Sequence, residues 1–355
     1  MRIAHVRELN GPAGAPWRLA AALERAGDPP AATSDTPPMW LDLETARRRA
    51  VAAEPGLAHN SVLHRRPVTT LDDHLGAGLR IAALADLVDG FAPRAEPEDD
   101  DAVLASTDLR FGPPILRPPS LRDFYAFEGH VRTMWERRGG DVPEAWYRLP
   151  IFYFSNVSEI RGPGDPVWAP TSSQELDYEL EVAAIVDTPG VDLTPGGAAE
   201  AIGGFTIFND WSARDLQRDE TTVRLGPAKG KDFAASFGPW IVTPDELSMA
   251  WNGGAEGRDG PTGPDLAMTA EVNGVETSRG RWSDAQFSFA EMLARASADV
   301  HLRPGDLMGS GTVGTGCLLE VRDSTLGRYL QPGDEVTLRI ERLGSLTSPI
   351  VERPR

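Results

Sequence analysis

The chain has 355 residues, 41% of them hydrophobic and 25% charged, which is enough for one large domain and a smaller one. Its formal net charge of -18 argues against nucleic acid or an anionic membrane surface as a partner, because both would be repelled. The single cysteine, Cys317, excludes an internal disulfide and a multi-cysteine zinc site. No segment has the apolar length of a membrane span and no signal segment begins the chain, so we expect a cytoplasmic protein.

Residues 1 to about 90 alternate a strand pattern (Arg2 to Val6) with helix patterns at Trp17 to Ala26 and Leu41 to Ala53. They predict a small α/β domain. Its histidines have no carboxylate or second histidine at a ligand spacing, so we interpret them as structural; they are His5, His59, His64 and His74. An acidic proline-containing segment, Pro93 to Asp101, and a proline-rich connection after it predict domains at residues 1–112 and 113–355.

Residues 120–131 predict a helix with Ser120 as its N-cap. Asp123 and His130 lie seven residues apart, which would place them two turns apart on one face. The Ser-x-x-Asp spacing also resembles a capping box, in which Asp123 would serve its own backbone. The pattern alone leaves both readings open, and a single histidine on such a helix is more often core or surface.

The segment Leu176 to Val186 predicts a strand that enters a core. Glu179 and Glu181 would share one face about 6.6 Å apart, so their carboxylates could converge on one ion. The next residues on that face are apolar, which indicates that the face is buried, and buried paired acids need a cation. The alternative is the solvated face of an edge strand.

A second apolar run, Ala201 to Trp211, predicts a buried strand that ends at Asp210, either as a ligand position or as the cap of the next turn. The loop Leu225 to Phe233 superficially resembles a phosphate loop. The spacing between its glycines is one residue shorter than in the phosphate-loop motif GxxxxGK, and Asp232 replaces the required Ser or Thr. These two differences exclude a nucleotide site. Lys231 would instead balance the nearby carboxylates and polarise a substrate carbonyl.

Beyond this region, Met268 to Ser278 predicts a hairpin around Asn273-Gly274, and Phe287 to Ala296 predicts a helix. The sequence predicts a glycine-rich loop from Trp251 to Gly263. The small residues between Gly309 and Gly316 allow a ligand to approach the backbone closely, although an ordinary turn region fits them equally well.

Three blocks resemble, in order and spacing, the signature blocks of the fumarylacetoacetate hydrolase family: Glu179-Leu180-Glu181, Asn209 to Gln217, and Leu225 to Lys231. The similarity runs from near Pro118 to about Gly344. It implies an α+β fold, with a C-terminal catalytic domain built as a mixed β-sandwich roll behind the small N-terminal α/β domain. It also implies a homodimer formed through the C-terminal domain.

The resemblance further implies the roles of individual side chains. A divalent cation would be held by Asp123, Glu179, Glu181 and Asp210, and oxygen-only ligation favours Mg2+, with Ca2+ or Mn2+ able to substitute. His130 would be the general base, oriented by Glu320, and Lys231 would stabilise the developing anion. Four further residues would position the substrate: Tyr125, Tyr153, Gln217 and Thr312.

The function implied is a metal-dependent hydrolase that cleaves a carbon-carbon bond in a 1,3-dicarbonyl acid, of the fumarylacetoacetate or acylpyruvate type, through a metal-stabilised enolate. The alternative is an isomerase, decarboxylase or dehydratase of a 2-oxo acid on the same metal site. A binding protein that has lost catalysis is less favoured, because base, orienting acid, lysine and carboxylates are all present. The chain departs from the family's fumarylacetoacetate enzymes at Thr221, where a tyrosine is usual, and near Arg137 and Arg138, neither of which falls at the usual substrate arginine.

Overall fold

A computed structural model describes residues 1–12, 14–23, 39–92, 100–247 and 262–354. The strands are β1 (Arg2–Glu8), β2 (Arg18–Leu23), β3 (Met39–Asp42), β4 (Val103–Ala105), β5 (Leu109–Phe111), β6 (Leu121–Phe124), β7 (Phe152–Ser155), β8 (Ile160–Arg161), β9 (Leu176–Asp177), β10 (Leu180–Val186), β11 (Ile202–Asp210), β12 (Ser212–Ala213), β13 (Ala235–Val242), β14 (Ala267–Val272), β15 (Val275–Arg281), β16 (Leu307–Gly309), β17 (Glu335–Ile340) and β18 (Gly344–Pro349). The helices are α1 (Leu43–Ala53), α2 (Leu57–Asn60), α3 (Val62–Arg65), α4 (Leu71–Gly76), α5 (Ala85–Asp89), α6 (Glu128–Arg137), α7 (Pro195–Glu200), α8 (Arg214–Thr222), α9 (Pro244–Leu247), α10 (Phe289–Ser297) and α11 (Leu318–Val321).

A large mixed sheet of twelve strands runs through the molecule in the order β4-β3-β2-β1-β13-β11-β10-β16-β6-β7, with β5 on β1 and β8 on β13. Most neighbours are antiparallel, while β16 and β6 are parallel. A separate antiparallel sheet has the order β15-β14-β17-β18, and β9 and β12 form a two-stranded ribbon. The architecture is therefore a mixture of helices and sheets organised around one extended sheet.

Strand β10 shows why this sheet has a core on each face. Successive side chains of a strand point to opposite faces. Val182 and Ala184 join the hydrophobic cluster that the four-stranded sheet also contributes to, whereas Ala183 and Ile185 join the cluster on the other face. Because both faces are covered, an acid on β10 lies in the interior, and the alternative of a solvated edge strand is wrong.

The first strands do not form a sheet of their own. β1 pairs with β13, so the strands of residues 1–112 extend the sheet of residues 113–355. The helix predicted at Trp17 to Ala26 is wrong for Arg18–Leu23, which forms β2 between β1 and β3. The domain boundary at residues 112 and 113 stays a prediction, and most of the acidic segment Pro93 to Asp101 lies outside the described residues.

The single helix predicted over residues 120–131 is also wrong. Leu121–Phe124 is strand β6, which pairs with β16 and β7, and helix α6 begins only at Glu128. Asp123 is therefore neither a capping residue nor on the helix that carries His130. The Ser-x-x-Asp pattern is local, whereas the partners that make this segment a strand come from elsewhere in the chain.

Other predicted elements are confirmed. β11 ends at Asp210 as expected, and β14 and β15 form the hairpin, with positive φ angles of 54° at Asn273 and 76° at Gly274. Helix α10 begins after a capping box built by Ser288 and Glu291. The predicted loop Trp251 to Gly263 lies largely outside the described residues. Within the described ranges, no helix has the length and apolar content needed to cross a membrane.

Candidate active site

A cavity of about 720 Å3 is lined by Asp123 of β6 and by Glu179, which directly precedes β10. Because β10 and β11 are antiparallel, the start of one lies beside the end of the other, with Leu180 opposite Asn209. Asp123 of β6 reaches the same place through β16, whose Gly309 lies beside it. A side chain at Gly309 would come within 2.5 Å of the Asp123 carboxylate, so only glycine leaves room for that acid.

Four carboxylates converge there, and they are the four predicted ligands: Asp123, Glu179, Glu181 and Asp210. Each offers an oxygen within 4.8 Å of the others, and all four residues are buried. Gly311 donates its backbone N–H to Glu181 at 2.9 Å, and the Thr312 hydroxyl donates to the same carboxylate at 3.3 Å. The predicted substrate residue Thr312 thus contacts a predicted metal ligand.

The charges of these acids are poorly balanced. Burial, reinforced by the charge of Asp210, raises the pKa of Asp123 well above its ordinary value. Burial and the charge of Asp123 do the same for the pKa of Glu181. Burial also raises the pKa of Asp210, against the opposing charge of Lys231. The described protein groups therefore do not neutralise the cluster when all four acids are ionised.

Lys231 lies directly against this cluster, as predicted. Its ammonium group donates to Glu179 and to Asp210. Burial alone would lower the pKa of Lys231, but the two carboxylates outweigh it and raise that pKa, so the ammonium group stays charged. Burial opposes ionisation of Glu179 as well, yet Lys231 and Arg214 together hold its pKa well below the ordinary value.

The donor set fits a divalent cation. Among the described residues, the buried Oδ1 atom of Asp210 has no hydrogen-bond partner, while its Oδ2 atom accepts from Lys231 and from the Tyr153 hydroxyl at 2.6 Å. Oxygen-only ligands are those preferred by Mg2+, Ca2+ and Mn2+. Tyr153 lines the cavity and donates to the Asp210 carboxylate, and its contact with substrate stays a prediction.

A histidine and an acid form the second part of the site. The Nδ1 atom of His130 lies 2.9 Å from the Glu320 carboxylate, and their side chains are only 5% and 4% exposed. Burial raises the pKa of Glu320, but the His130 contact outweighs it and lowers that pKa. Tyr125 lines the cavity with its ring edge-on to the imidazole, at 5.5 Å between centroids. With Nδ1 held by Glu320, the imidazole keeps Nε2 for proton transfer.

Gln217 also lines the cavity, and it accepts a hydrogen bond from Arg214 at 3.1 Å. Arg214 was not among the predicted site residues. It donates to Asp177 at 2.8 Å and lies 2.8 Å from Glu179, while its buried Nη2 atom has no partner among the described residues. The signal in the sequence was its spacing of three residues before Gln217, which puts both on one face of α8.

Asp177 is the second residue that sequence reasoning missed. Its fully buried carboxylate accepts from Arg214 and from the backbone N–H groups of Leu318 and Leu319, at 2.8 and 2.9 Å. Those groups begin helix α11, which carries Glu320. Asp177 therefore connects the lysine-and-carboxylate half of the site to the histidine half. Its position two residues before Glu179 was the available signal.

Comparison with known proteins finds a family model and several relatives that match this chain. The family described as fumarylacetoacetate (FAA) hydrolase C-terminal matches residues 120–351. A fumarylacetoacetase of Arabidopsis thaliana is 33% identical over 270 residues, which cover 61% of this chain and 63% of the relative. A mitochondrial oxaloacetate tautomerase of Xenopus laevis is 30% identical over 203 residues, covering 57% and 58%. This chain thus spans less than two thirds of the length of these curated relatives.

A solved structure of 2-hydroxyhepta-2,4-diene-1,7-dioate isomerase from Mycobacterium marinum is 26% identical and superposes with a TM-score of 0.53, covering 72% of this chain and 82% of the other. The relatives therefore include hydrolases, tautomerases and isomerases of oxo acids. The family match extends over well over half of the sequence, including the acids, the lysine and the histidine described above. The chain belongs to the fumarylacetoacetate hydrolase family.

Proposed function

We propose that this protein hydrolyses a carbon-carbon bond in a 1,3-dicarbonyl acid, of the acylpyruvate or fumarylacetoacetate type. The observation that carries the proposal is the His130–Glu320 pair, at 2.9 Å, with His130 lining the same cavity as Lys231, Asp123 and Glu179. Enolate chemistry alone needs only a cationic centre. A histidine oriented by a buried acid is what activation of water requires in addition.

The lining of the cavity supports an acidic substrate. Although the chain carries a net charge of -18, five cationic side chains line this cavity: Arg137, Arg138, Arg214, Arg218 and Lys231. Arg214 lines the cavity, and Asp177 and Glu179 hold its guanidinium in place as a fixed positive charge beside the substrate. A carboxylate or carbonyl oxygen is therefore favoured over an apolar group at this position.

The carboxylates Asp123, Glu179, Glu181 and Asp210 would hold the divalent cation, for which we propose Mg2+. When bound, the cation supplies a Lewis acid that polarises substrate oxygens and offsets the excess negative charge of the cluster. The remaining work falls to the side chains. Lys231 brings a fixed positive charge, and Gln217 and Tyr125 orient the substrate from the cavity wall.

In the proposed reaction, His130 takes a proton from water at Nε2 while Glu320 holds Nδ1 and stabilises the imidazolium. The water oxygen forms a bond to the carbonyl carbon. The carbon-carbon bond then breaks, and its electron pair stays on the departing carbon as an enolate facing Lys231. The proton held by His130 returns to that carbon, which gives a carboxylic acid together with a 2-oxo acid from an acylpyruvate or a 3-oxo acid from a substrate of the fumarylacetoacetate type.

Turnover of acylpyruvates in 18O-labelled water tests the proposal. Label must enter the released carboxylic acid, because the new oxygen comes from solvent. His130→Ala should lower turnover by about two to four orders of magnitude while Mg2+ affinity is kept, and Glu320→Gln should lower it less. His301→Ala, which changes an exposed histidine, is the matched control and should retain turnover. Product without solvent oxygen in a new carboxylate would overturn the hydrolase assignment.

The second candidate is an isomerase or tautomerase of a 2-oxo acid, which the named activities of two relatives favour. In that reaction His130 would move a proton between carbon and oxygen without attack by water. Deuterium from heavy water would then enter the product while 18O would not. Incubation of 2-oxo-enoates in doubly labelled water separates the two candidates in one experiment.

We also propose a homodimer, as in the expectation from the family. An interface would have to be locally depleted of acids, because the chain carries so much negative charge. Light scattering at micromolar concentration and moderate salt should give twice the chain mass of 38.3 kDa. A monomeric mass under those conditions would contradict this proposal without affecting the proposed chemistry.

A further inference from the structure

Three side chains beside the carboxylate cluster bring together nitrogen, sulfur and oxygen. They are His130, Cys317 and Glu320, each with a donor atom within 4.8 Å of the others. The Glu320 carboxylate lies 2.9 Å from Nδ1 of His130 and 3.6 Å from Sγ of Cys317. The proposed hydrolysis uses the histidine and the acid but gives no role to the thiol.

We propose that these three residues form a second metal site, one that takes a thiophilic divalent ion such as Zn2+ and inhibits the enzyme when occupied. Imidazole, thiolate and carboxylate are ligands that Zn2+ binds tetrahedrally, with a water molecule in any position left open. The main cluster offers only oxygen, which suits Mg2+. The two sites therefore differ in the ions that they prefer.

The fold holds these donors on rigid supports. Cys317 is the residue before helix α11 and Glu320 lies three residues later, so both side chains project from the same side of its first turn. The backbone N–H of Glu320 donates to the Cys317 carbonyl at 3.1 Å. Asp177 fixes the start of this helix through Leu318 and Leu319. His130 comes from helix α6 and also lines the cavity, which gives an ion a route from solvent.

The Cys317 thiol is suited to bind a metal ion and is not suited to act as a nucleophile. Cys317 is fully buried, and burial raises the pKa of its thiol well above the ordinary value, so it carries its proton in the absence of an ion. A coordinated thiol loses that proton outright. The Cys317 thiolate and the Glu320 carboxylate together supply two negative charges, which balance the charge of the divalent ion.

The proton balance explains why occupancy would inhibit. When the ion binds, the Cys317 thiol releases one proton to solvent, and the proton on Nδ1 of His130 moves to Nε2. Nδ1 and the thiolate each form a bond to the ion in place of the protons they have lost. An imidazole protonated at Nε2 cannot accept a proton from water. This consequence rests on the proposed function, whereas binding itself does not.

Cobalt titration of the Mg2+-saturated full-length protein tests the site without any measurement of turnover. A thiolate bound to Co2+ gives a sulfur-to-metal absorption band in the near ultraviolet. Because Cys317 is the only cysteine in the chain, that band identifies its ligand without a variant. We expect one equivalent of Co2+ to produce the band with release of one proton, and Zn2+ to remove the band by displacement.

Two variants sharpen the result. Cys317→Ser should abolish the band and raise the inhibitory Zn2+ concentration on the order of tenfold or more, since even the loss of an outer partner weakens metal sites by that much. Asp123→Asn, which alters only the oxygen cluster, should keep the band. Absence of the band in the wild-type protein would overturn the proposal. Zn2+ inhibition that is relieved in proportion to the concentration of added Mg2+ would overturn it as well. Failure of 18O incorporation, by contrast, would overturn the proposed function and leave the cobalt result standing.

Discussion

Buried acids lie in two adjoining places in the molecule, and their partners differ between the two. At Asp177, the carboxylate faces the guanidinium of Arg214 and two backbone N–H groups, all at 2.8 to 2.9 Å. In the neighbouring cluster, Glu181 accepts from the Gly311 N–H and the Thr312 hydroxyl and faces other acids, Asp123 among them. Burial raises the pKa of the first acid as well, but the charge of Arg214 opposes that effect. Among the described residues, Glu181 has no ion pair with a cationic side chain, and this difference separates a structural acid from a ligand.

Glu179 joins the two places. Its carboxylate lies 2.8 Å from Arg214 on one side and accepts from Lys231 on the other. Burial alone would lower the pKa of Arg214, but Asp177 and Glu179 outweigh it and raise that pKa, so this cation is permanent. A rigid, fully charged arginine thereby fixes one wall of the cluster, while the other acids keep their unbalanced charge. The predictions below test whether that contrast is real.

Asp177→Ala should give the largest effect. It leaves Arg214 buried with less compensating charge and removes the partner of the first N–H groups of α11, so we expect a loss of about 3–5 kcal/mol in the free energy of unfolding. Urea unfolding measures it. Asp323→Ala removes an exposed acid and should change that free energy by no more than about 0.5 kcal/mol. A loss as small as that of the control would show that Asp177 is not a structural acid.

Binding of Mg2+ should have the next largest effect on the free energy of unfolding. It should act only through the cluster of four carboxylates. At an ion concentration about a hundred times the dissociation constant, binding stabilises the folded state by about 2.7 kcal/mol. We expect Glu181→Gln to lose this gain in thermal unfolding, whereas Glu276→Gln, at a partly exposed acid paired with Arg279, should keep it. Equal stabilisation of both variants by Mg2+ would place the ion elsewhere.

Much of this contrast was accessible from sequence. The apolar run that stops at Asp210, and the spacing of Glu179 and Glu181 before apolar residues, predicted buried acids at strand ends. The resemblance added Asp123 and His130, which local pattern alone left open. The local pattern gave the wrong prediction for the segment that contains Asp123. This segment is a strand because β16 and β7 pair with it. Such long-range pairing overrides local propensity and leaves no periodic signal in four residues.

Arg214 and Asp177 show a different limit. Arg214 stands inside a recognised block and Asp177 stands two residues before another, yet the importance of both depends on what they face. The contacts of Asp177 with Leu318 and Leu319 join positions 141 and 142 residues apart. A sequence read alone cannot tell an acid that will be paired from one that will not. The structure distinguishes them by the guanidinium of Arg214, which pairs with Asp177 but, among the described residues, forms no ion pair with Glu181.

The last expected effect is a pH dependence that the cluster should add to the metal-free protein but not to the Mg2+-loaded protein. Folding raises the pKa values of Asp123, Glu181 and Asp210, so in the metal-free state the folded protein binds more protons than the unfolded chain above the ordinary carboxyl range. Stability must then fall as pH rises through the raised values, by at most about 1.4 kcal/mol per pH unit for each extra proton. Glu179 has the opposite sign: its lowered pKa gives stability that is lost only below the ordinary range.

Thermal unfolding between pH 5 and pH 8, with chelator or with saturating Mg2+, isolates this slope, because all titrating groups outside the cluster are common to both series. We expect the difference in melting temperature between the two series to widen toward high pH. Asp177→Asn, at an acid that Arg214 already satisfies, should leave that widening in place, whereas Glu181→Gln should reduce it by removing one of the mutually repelling charges. If the metal-free and Mg2+-loaded series ran parallel across the whole range, the cluster would be as well neutralised as Asp177, and the contrast between the two places would be wrong.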